Sequence, residues 1–261
     1  MPLYPFKKYQ ATGNDFILID NRDLSFPTDN QTIEKLCNRH FGIGADGLML
    51  LQNKEGYDFE MVYFNSDGNI STMCGNGGRS IVAFARDLGI IETQTKFWAI
   101  DGEHLAGISA SEVELKMIDV TQIQERENKD YFLNTGSPHH VQFVTNIQAF
   151  DVYNKGKEIR NGSPYFKEGA NVNFVEKLPD ETFWVRTYER GVENETLSCG
   201  TGVTAAAIAS YKAGHTKKSQ VRIQTLGGNL QINFIESSPN HFENIYLMGP
   251  AQFVFEGKIE I

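Results

Sequence analysis

The chain repeats itself, and that constrains its fold more than any other feature. Sliding the sequence by 125 residues sets Tyr63 on Tyr188, Asn69 on Asn194, Cys74 on Cys199, Gly75 on Gly200, Gly77 on Gly202, Gly89 on Gly214, Gly102 on Gly227 and Leu105 on Leu230. Eight identities between residues 63 and 105 exceed chance, and they fall on glycines and cysteines, whose roles are special. The 261 residues therefore read as two copies of one unit, which suits a length beyond the usual single core. Each copy runs strand, Cys-Gly-x-Gly turn, apolar helix, glycine stop and further strands, giving two similar α/β halves that meet near residue 118.

The helix in each copy has almost no polar face: Ser80-Ile81-Val82-Ala83-Phe84-Ala85 in the first, Ala205-Ala206-Ala207-Ile208-Ala209 in the second. A helix apolar all round must be buried all round, and these are far shorter than the ~18 residues that cross a bilayer. Each is expected to run through the middle of its domain, wrapped by sheet, and to stop at a left-handed cap on Gly89 or Gly214. Near the start, Phe6–Tyr9 reads as strand, Thr12-Gly13-Asn14-Asp15 as a turn and Phe16–Ile19 as strand. Ile33, Leu36, Cys37 and Phe41 at helical spacing predict a surface helix over 32–41, capped by Asp29 or Thr32, with Cys37 a small core residue.

Composition removes several functions. Acids outnumber bases 33 to 24, for a net charge of −9, which is the wrong sign for a nucleic-acid binder. No apolar run suits a membrane span and the first residues lack a signal peptide's apolar stretch, so a cytoplasmic protein is expected. Three cysteines are too few for a disulfide scaffold. Gly42-Ile43-Gly44-Ala45-Asp46-Gly47 matches the dinucleotide fingerprint in letters alone. It follows a helix and precedes the strand-like Leu48-Met49-Leu50-Leu51, the reverse of what pyrophosphate binding needs. There is no phosphate-binding loop of the Gly-x-x-x-x-Gly-Lys-Ser/Thr type.

What remains is the pair of cysteines at equivalent positions, Met73-Cys74-Gly75-Asn76-Gly77 and Ser198-Cys199-Gly200-Thr201-Gly202, each just before a buried helix. Unpaired N–H groups and the helix dipole there stabilise a thiolate, and the same donors can cradle a carboxylate. If duplicated domains pack about a pseudo-two-fold axis, the two thiols flank one bound molecule. One acid/base group on each face of a carbon is what inversion of a stereocentre requires. With no cofactor to accept electrons, helix dipoles and N–H donors have to stabilise the carbanion. A disulfide between these cysteines is expected only as an oxidised, inactive form, and zinc lacks ligands beyond His139-His140.

The same residues resemble the diaminopimelate epimerase family nearly end to end. The matching motifs are Ala11-Thr12-Gly13-Asn14-Asp15-Phe16, the 42–47 loop, Asn65-Ser66-Asp67-Gly68 leading to Met73-Cys74-Gly75-Asn76-Gly77-Gly78-Arg79, and Gly136-Ser137-Pro138-His139. They continue through Asn171-Val172-Asn173-Phe174-Val175 and Tyr188-Glu189-Arg190-Gly191 to Ser198-Cys199-Gly200-Thr201-Gly202. The resemblance implies an α/β (mixed α+β) fold of two pseudo-symmetric domains, each a curved mixed sheet wrapped around a central buried helix. It places them at residues 1–118 and 119–249, with about 250–261 returning to the first. It implies a homodimer, and conversion of LL-2,6-diaminopimelate to the meso isomer without pyridoxal phosphate or metal.

The resemblance also implies roles. Cys199 becomes the proton acceptor and Cys74 the donor in one direction, exchanged in reverse. Gly75-Asn76 and Gly200-Thr201 supply donors to the reacting carboxylate, while Asn14, Asn65, Asn171 and Arg190 bind the rest of the substrate. Glu189 takes an ammonium group and, with His139, supports the thiols; His140 is background. Three positions depart from the family: Ser137 where many members have Asn, Gly47 where some have Gln, and Phe255 where Tyr is common at the dimer interface. The rival readings are a proline or hydroxyproline racemase, a phenazine-biosynthesis-type isomerase, a thiol hydrolase using Cys199 with His139, and a non-catalytic amino-acid-binding protein.

Overall fold

The structure, a computed structural model, describes residues 2–261. The chain divides into two compact units, one formed by residues up to Leu115 together with Gly249–Ile261, the other by Lys116–Met248.

Unit one begins with a hairpin of β1 (Leu3–Ala11) and β2 (Asn14–Asp20). Helix α1 (Asn30–Cys37) leads to β3 (Gly47–Gln52), parallel to β2, and β4 (Glu60–Asn65) turns back antiparallel to β3. Helix α2 (Gly75–Asp87) leads to β5 (Gln94–Ala99), parallel to β4, followed by the antiparallel β6 (Gly102–Ser109) and β7 (Glu112–Lys116).

Unit two repeats this. Strands β8 (Ile123–Glu125), β9 (Tyr131–Asn134) and β10 (Pro138–Phe143) run antiparallel in turn. Helix α3 (Val152–Asn161) leads to β11 (Asn171–Lys177), parallel to β10, and β12 (Phe183–Glu189) returns antiparallel with the short β13 (Asn194–Thr196) on its end. Helix α4 (Gly200–Lys212) leads to β14 (Gln220–Thr225), parallel to β12, then β15 (Gly228–Ser238) and β16 (His241–Pro250). The last strand, β17 (Gln252–Glu260), pairs antiparallel with β1 in unit one.

Strand order is thus β17-β1-β2-β3-β4-β5-β6-β7 in one unit and β8-β9-β10-β11-β12-β14-β15-β16 in the other. Both sheets show the same succession of antiparallel and parallel neighbours. The C-terminal strand therefore fills in unit one the place that β8 fills in unit two.

This topology decides where the helices go. Parallel neighbours need crossovers, which are right-handed in nearly every protein. The β2-to-β3 and β4-to-β5 crossovers advance the same way across the sheet along strands of opposite direction, so their helices fall on opposite faces. Accordingly Ile33 and Leu36 of α1 pack on Ile17, Ile19, Leu48 and Leu50, while the alternate residues Met49 and Met61 meet α2 at Gly77. In unit two Val152 of α3 packs on Val172, Phe174 and Tyr188, and α4 touches β9, β10, β11, β12, β14 and β15, so the sheet curls around it. Gly200 and Gly202–Ser210 of α4 and Gly75–Ala85 of α2 are all buried. Gly89 and Gly214, with φ of 70° and 75°, follow the two helices as expected.

The first surface helix is shorter than its apolar spacing predicts. It starts after Asp29, whose carboxylate accepts from Thr32 N at 3.0 Å, and stops at Cys37. The Asn38 carboxamide accepts from the N–H groups of His40 and Phe41 and turns the chain away, leaving Phe41 81% exposed instead of in the core. Cys37 is a core residue, and burial pushes its thiol up to about 12.

Candidate active site

Cys74 and Cys199 are the N-caps of α2 and α4, both with extended backbone, and each begins a helix of 13 residues. Each carbonyl accepts the first helical bond, from Gly78 N at 2.8 Å and Val203 N at 2.9 Å. The side chains then sit where helical N–H groups lack partners. Cys74 Sγ accepts from Gly77 N at 3.2 Å, taking the place that a Ser or Asp cap usually takes. Cys199 Sγ lies 3.5 Å from Thr201 Oγ1.

Around Cys74 the structure gathers Gly75, Asn76 and Asn14. Asn76 is buried in the first turn of α2, with its Oδ1 accepting from Arg79 at 3.0 Å and its Nδ2 turned to Asn14 Oδ1 at 3.5 Å. Asn14 donates to Asp46 at 2.6 Å, so the 42–47 loop orients this amide rather than a dinucleotide. A charged cluster holds that loop to the hairpin. Lys8 meets Asp15 at 2.7 Å and donates to the Gly44 carbonyl, and Arg39 bridges Asp15 and Asp46 at 2.7 Å each. Burial raises the Asp15 carboxyl, but Arg39 and Lys8 outweigh it and hold the group at about 2. Asn65 ends β4 opposite Gly47. A Cβ on Gly47 would lie 2.6 Å from the Phe64 carbonyl oxygen, so no glutamine fits there.

Around Cys199 the structure gathers Gly200, Thr201, His139, Asn171 and Arg190, and it adds Asn173. His139 on β10 lies in register with Asn171 on β11, and Asn173 shares the same face two residues on. The His140 carbonyl accepts from Asn173 Nδ2 at 3.0 Å, which fixes the amide's orientation, and the same nitrogen donates to His139 Nδ1 at 3.0 Å. Thr187 Oγ1 donates to Asn173 Oδ1 at 3.0 Å. With Nδ1 accepting, the His139 proton sits on Nε2 and points at Thr201 Oγ1, 2.9 Å away. That leaves the threonine hydroxyl proton for Cys199 Sγ. His139 is fully buried, and burial, followed by the charge of Arg190, pulls it down to about 3, so it is neutral at physiological pH. Thr201 Oγ1 thus links the His139 imidazole to the Cys199 sulfur.

Gly202 is required by the same packing: a Cβ there would overlap Asn173 Oδ1. Asn171 accepts from Arg190 N at 2.8 Å and donates to Ser137 Oγ at 3.0 Å, so the serine partners this amide. The Arg190 guanidinium donates to the Glu168 carbonyl at 3.0 Å. Glu189 accepts from Thr196 at 2.9 Å. His140 bonds Tyr165 at 2.9 Å and faces Asp130 at 3.3 Å, a separate buried group. Sequence reasoning missed Asn173, although polar residues at 171 and 173 in an otherwise apolar strand already place two amides on one face.

Similarity to known proteins agrees with this geometry. The family model described as diaminopimelate epimerase matches residues 6–117 and 131–254. A diaminopimelate epimerase of Flavobacterium psychrophilum is 54% identical over 261 residues, covering 99% of this chain and 100% of that one. One of Chlorobaculum tepidum is 41% identical, covering 96% and 99%. Among solved structures, a phenazine biosynthesis protein of the PhzF family from Bacillus anthracis superposes with a TM-score of 0.80 at 14% identity over the full length of both chains. A hydroxyproline epimerase from Agrobacterium vitis does so with 0.68 at 12% identity, covering 98% of this chain and 92% of that one. At such identity these two share the fold. The sequence matches, by contrast, run through every motif around both cysteines, and the chain belongs to the diaminopimelate epimerase family.

Proposed function

We propose that the protein interconverts LL- and meso-2,6-diaminopimelate by a two-thiol mechanism, without pyridoxal phosphate or metal, in the supply of lysine and peptidoglycan precursors. The observation that carries this reading is the duplication of chemistry along with fold: each unit places one thiol at the start of a buried helix. Inversion at carbon needs a base on one face and an acid on the other, and two equivalent cysteines supply them. In one direction Cys199 removes the α-proton and Cys74 delivers one, with roles exchanged in reverse. The N–H groups of Gly75-Asn76 and Gly200-Thr201 take the reacting carboxylate and the charge that develops on it. Asn14, Asn65, Asn171 and Arg190 hold the distal amino-carboxylate, and Glu189 takes an ammonium group. His139, kept neutral, orients Thr201 toward the Cys199 sulfur.

A proline or hydroxyproline racemase has no distal carboxylate to bind, which makes the amide and guanidinium groups of Asn171 and Arg190 the discriminating feature. The purified chain is expected to epimerise LL-diaminopimelate and leave proline untouched. Cys74→Ala and Cys199→Ala are each expected to lower turnover by at least about a thousandfold. Turnover of proline, or full activity in either variant, contradicts the proposal. The acidic charge and the dependence on reduced thiols suit the cytoplasm. The exposed Phe253-Val254-Phe255 run on β17 suits a homodimer, checked by sedimentation equilibrium of the wild type against Phe255→Asp.

A further inference from the structure

Arg79, in the second turn of α2, is the largest fully buried side chain among the described residues, with 0% exposure. Its guanidinium donates to Gly75 O and Thr12 Oγ1 at 3.2 Å, to Asn76 Oδ1 at 3.0 Å and to Pro250 O at 3.5 Å. All four acceptors are uncharged, and among the described residues no carboxylate pairs with it. Burial pulls it down to about 10, which still leaves it cationic at neutral pH. A buried charge without a counter-ion is strongly disfavoured, and an apolar side chain of similar volume avoids that cost. The cation sits one turn behind Cys74, at the helix end that already donates an N–H to that sulfur.

The repeat supplies an internal control. The equivalent position in α4 is Thr204, also fully buried, whose hydroxyl donates to the Gly200 carbonyl at 2.9 Å. Arg79 and Thr204 thus make the same bond to the carbonyl four residues back, and only Arg79 adds charge. The helix packing needs no cation at this place.

We propose that Arg79 is a positioning residue for the reaction: its charge favours the Cys74 thiolate, and its fork fixes Asn76 with Oδ1 inward and Nδ2 outward, toward substrate. This rests on the reading that Cys74 is one of the two acid/base groups. In the low-dielectric interior the attraction is felt far more strongly than in water. The other ionisable groups on the surrounding elements are these. Tyr9 on β1 bonds Asp87 near the far end of α2, and Asp15 on β2 is held by Lys8 and Arg39. On β6 Glu103 pairs with Lys96 and His104 with Asp101, which also accepts the Met73 N–H. β3 carries none, Tyr63 lies on β4, and Glu112 on β7 is an exposed acid whose charge favours the Arg79 cation, less than Cys74 does.

The test reads the thiol directly. In the full-length Cys199→Ser protein, the rate of Cys74 alkylation by iodoacetamide is followed against pH, with the modified site identified by mass spectrometry. With Arg79 present the midpoint is expected at least about one pH unit below the ordinary thiol value near 8.5. Arg79→Met is expected to raise it by about one unit or more, and Arg79→Lys, which keeps the charge, to restore most of the shift. A midpoint near 8.5 in the Arg79 protein overturns the proposal. So does a midpoint that Arg79→Met leaves unmoved, or a failure of Arg79→Lys to restore it. Should Arg79→Met not fold, the Arg79 midpoint and the Arg79→Lys variant still decide. Full activity in Cys74→Ala sinks the catalytic reading of Cys74 without touching these midpoints, so the two failures are distinguishable.

Discussion

Thr201 Oγ1 lies within hydrogen-bond reach of both a neutral imidazole and the Cys199 sulfur, so its substitution tests the role proposed for that thiol. A hydrogen bond to a charged group contributes about 1.5–3 kcal/mol, so Thr201→Val should lower turnover by about 10–100-fold while Thr201→Ser keeps most of it. Equal losses in the two variants, measured by steady-state kinetics, contradict the relay. His139 carries a stability consequence as well. Its folded value near 3 lies below the unfolded value near 6.5, so the unfolded chain binds the extra proton. The contribution of neutral His139 is complete above about pH 6.5 and is lost as pH falls from there toward 3. Urea unfolding of wild type should therefore weaken between pH 6.5 and 5 more steeply than that of His139→Gln, and matching slopes refute the assignment. The cysteines, His139, Asn171 and Arg190 were legible because they stand in motifs. Asn173 and Arg79 stand in the same motifs but were given no role, because a motif does not say that a polar side chain is buried against a helix start; for Asn173 the alternation of residues 171 and 173 was the one available signal.

At the scale of elements, the two buried helices were legible from composition alone, since no other placement suits a segment without a polar face. Their first turns were legible from the Cys-Gly pair instead: the apolar middles lie at 80–85 and 205–209, and the helices begin at Gly75 and Gly200, just after the two cysteines, although glycine is a weak helix former. Gly202 shows why such residues are needed: Gly202→Ala should push Asn173 from His139, costing about 1–3 kcal/mol of stability and most of the activity. Calorimetry and turnover on the same preparation check this, and a variant as stable and active as wild type contradicts it. The 32–41 helix failed as an expectation at its end because apolar spacing ran on to Phe41 while Asn38 had already turned the chain.

At the scale of the molecule, the repeat was visible between residues 63 and 105, where cysteines and glycines fix it, and invisible at the edges, where β17 takes the place of β8 by returning from the far end of the chain. No local pattern announces a pairing between residues 3–10 and 252–260. That pairing makes the C-terminus essential to unit one. Deleting residues 252–261 should leave β1 as an unpaired edge, raise amide exchange throughout β1 and abolish activity, and an active, protected truncation contradicts the topology. The most direct test of the whole account is epimerisation of LL-diaminopimelate in heavy water, stopped early. Two thiols acting from opposite faces predict deuterium at the inverted carbon of the meso product while unreacted LL substrate keeps its protium, with no deuterated meso product from Cys74→Ala or Cys199→Ala. Equal label in substrate and product from the first turnovers, or deuterated meso product formed without one of the cysteines, contradicts it.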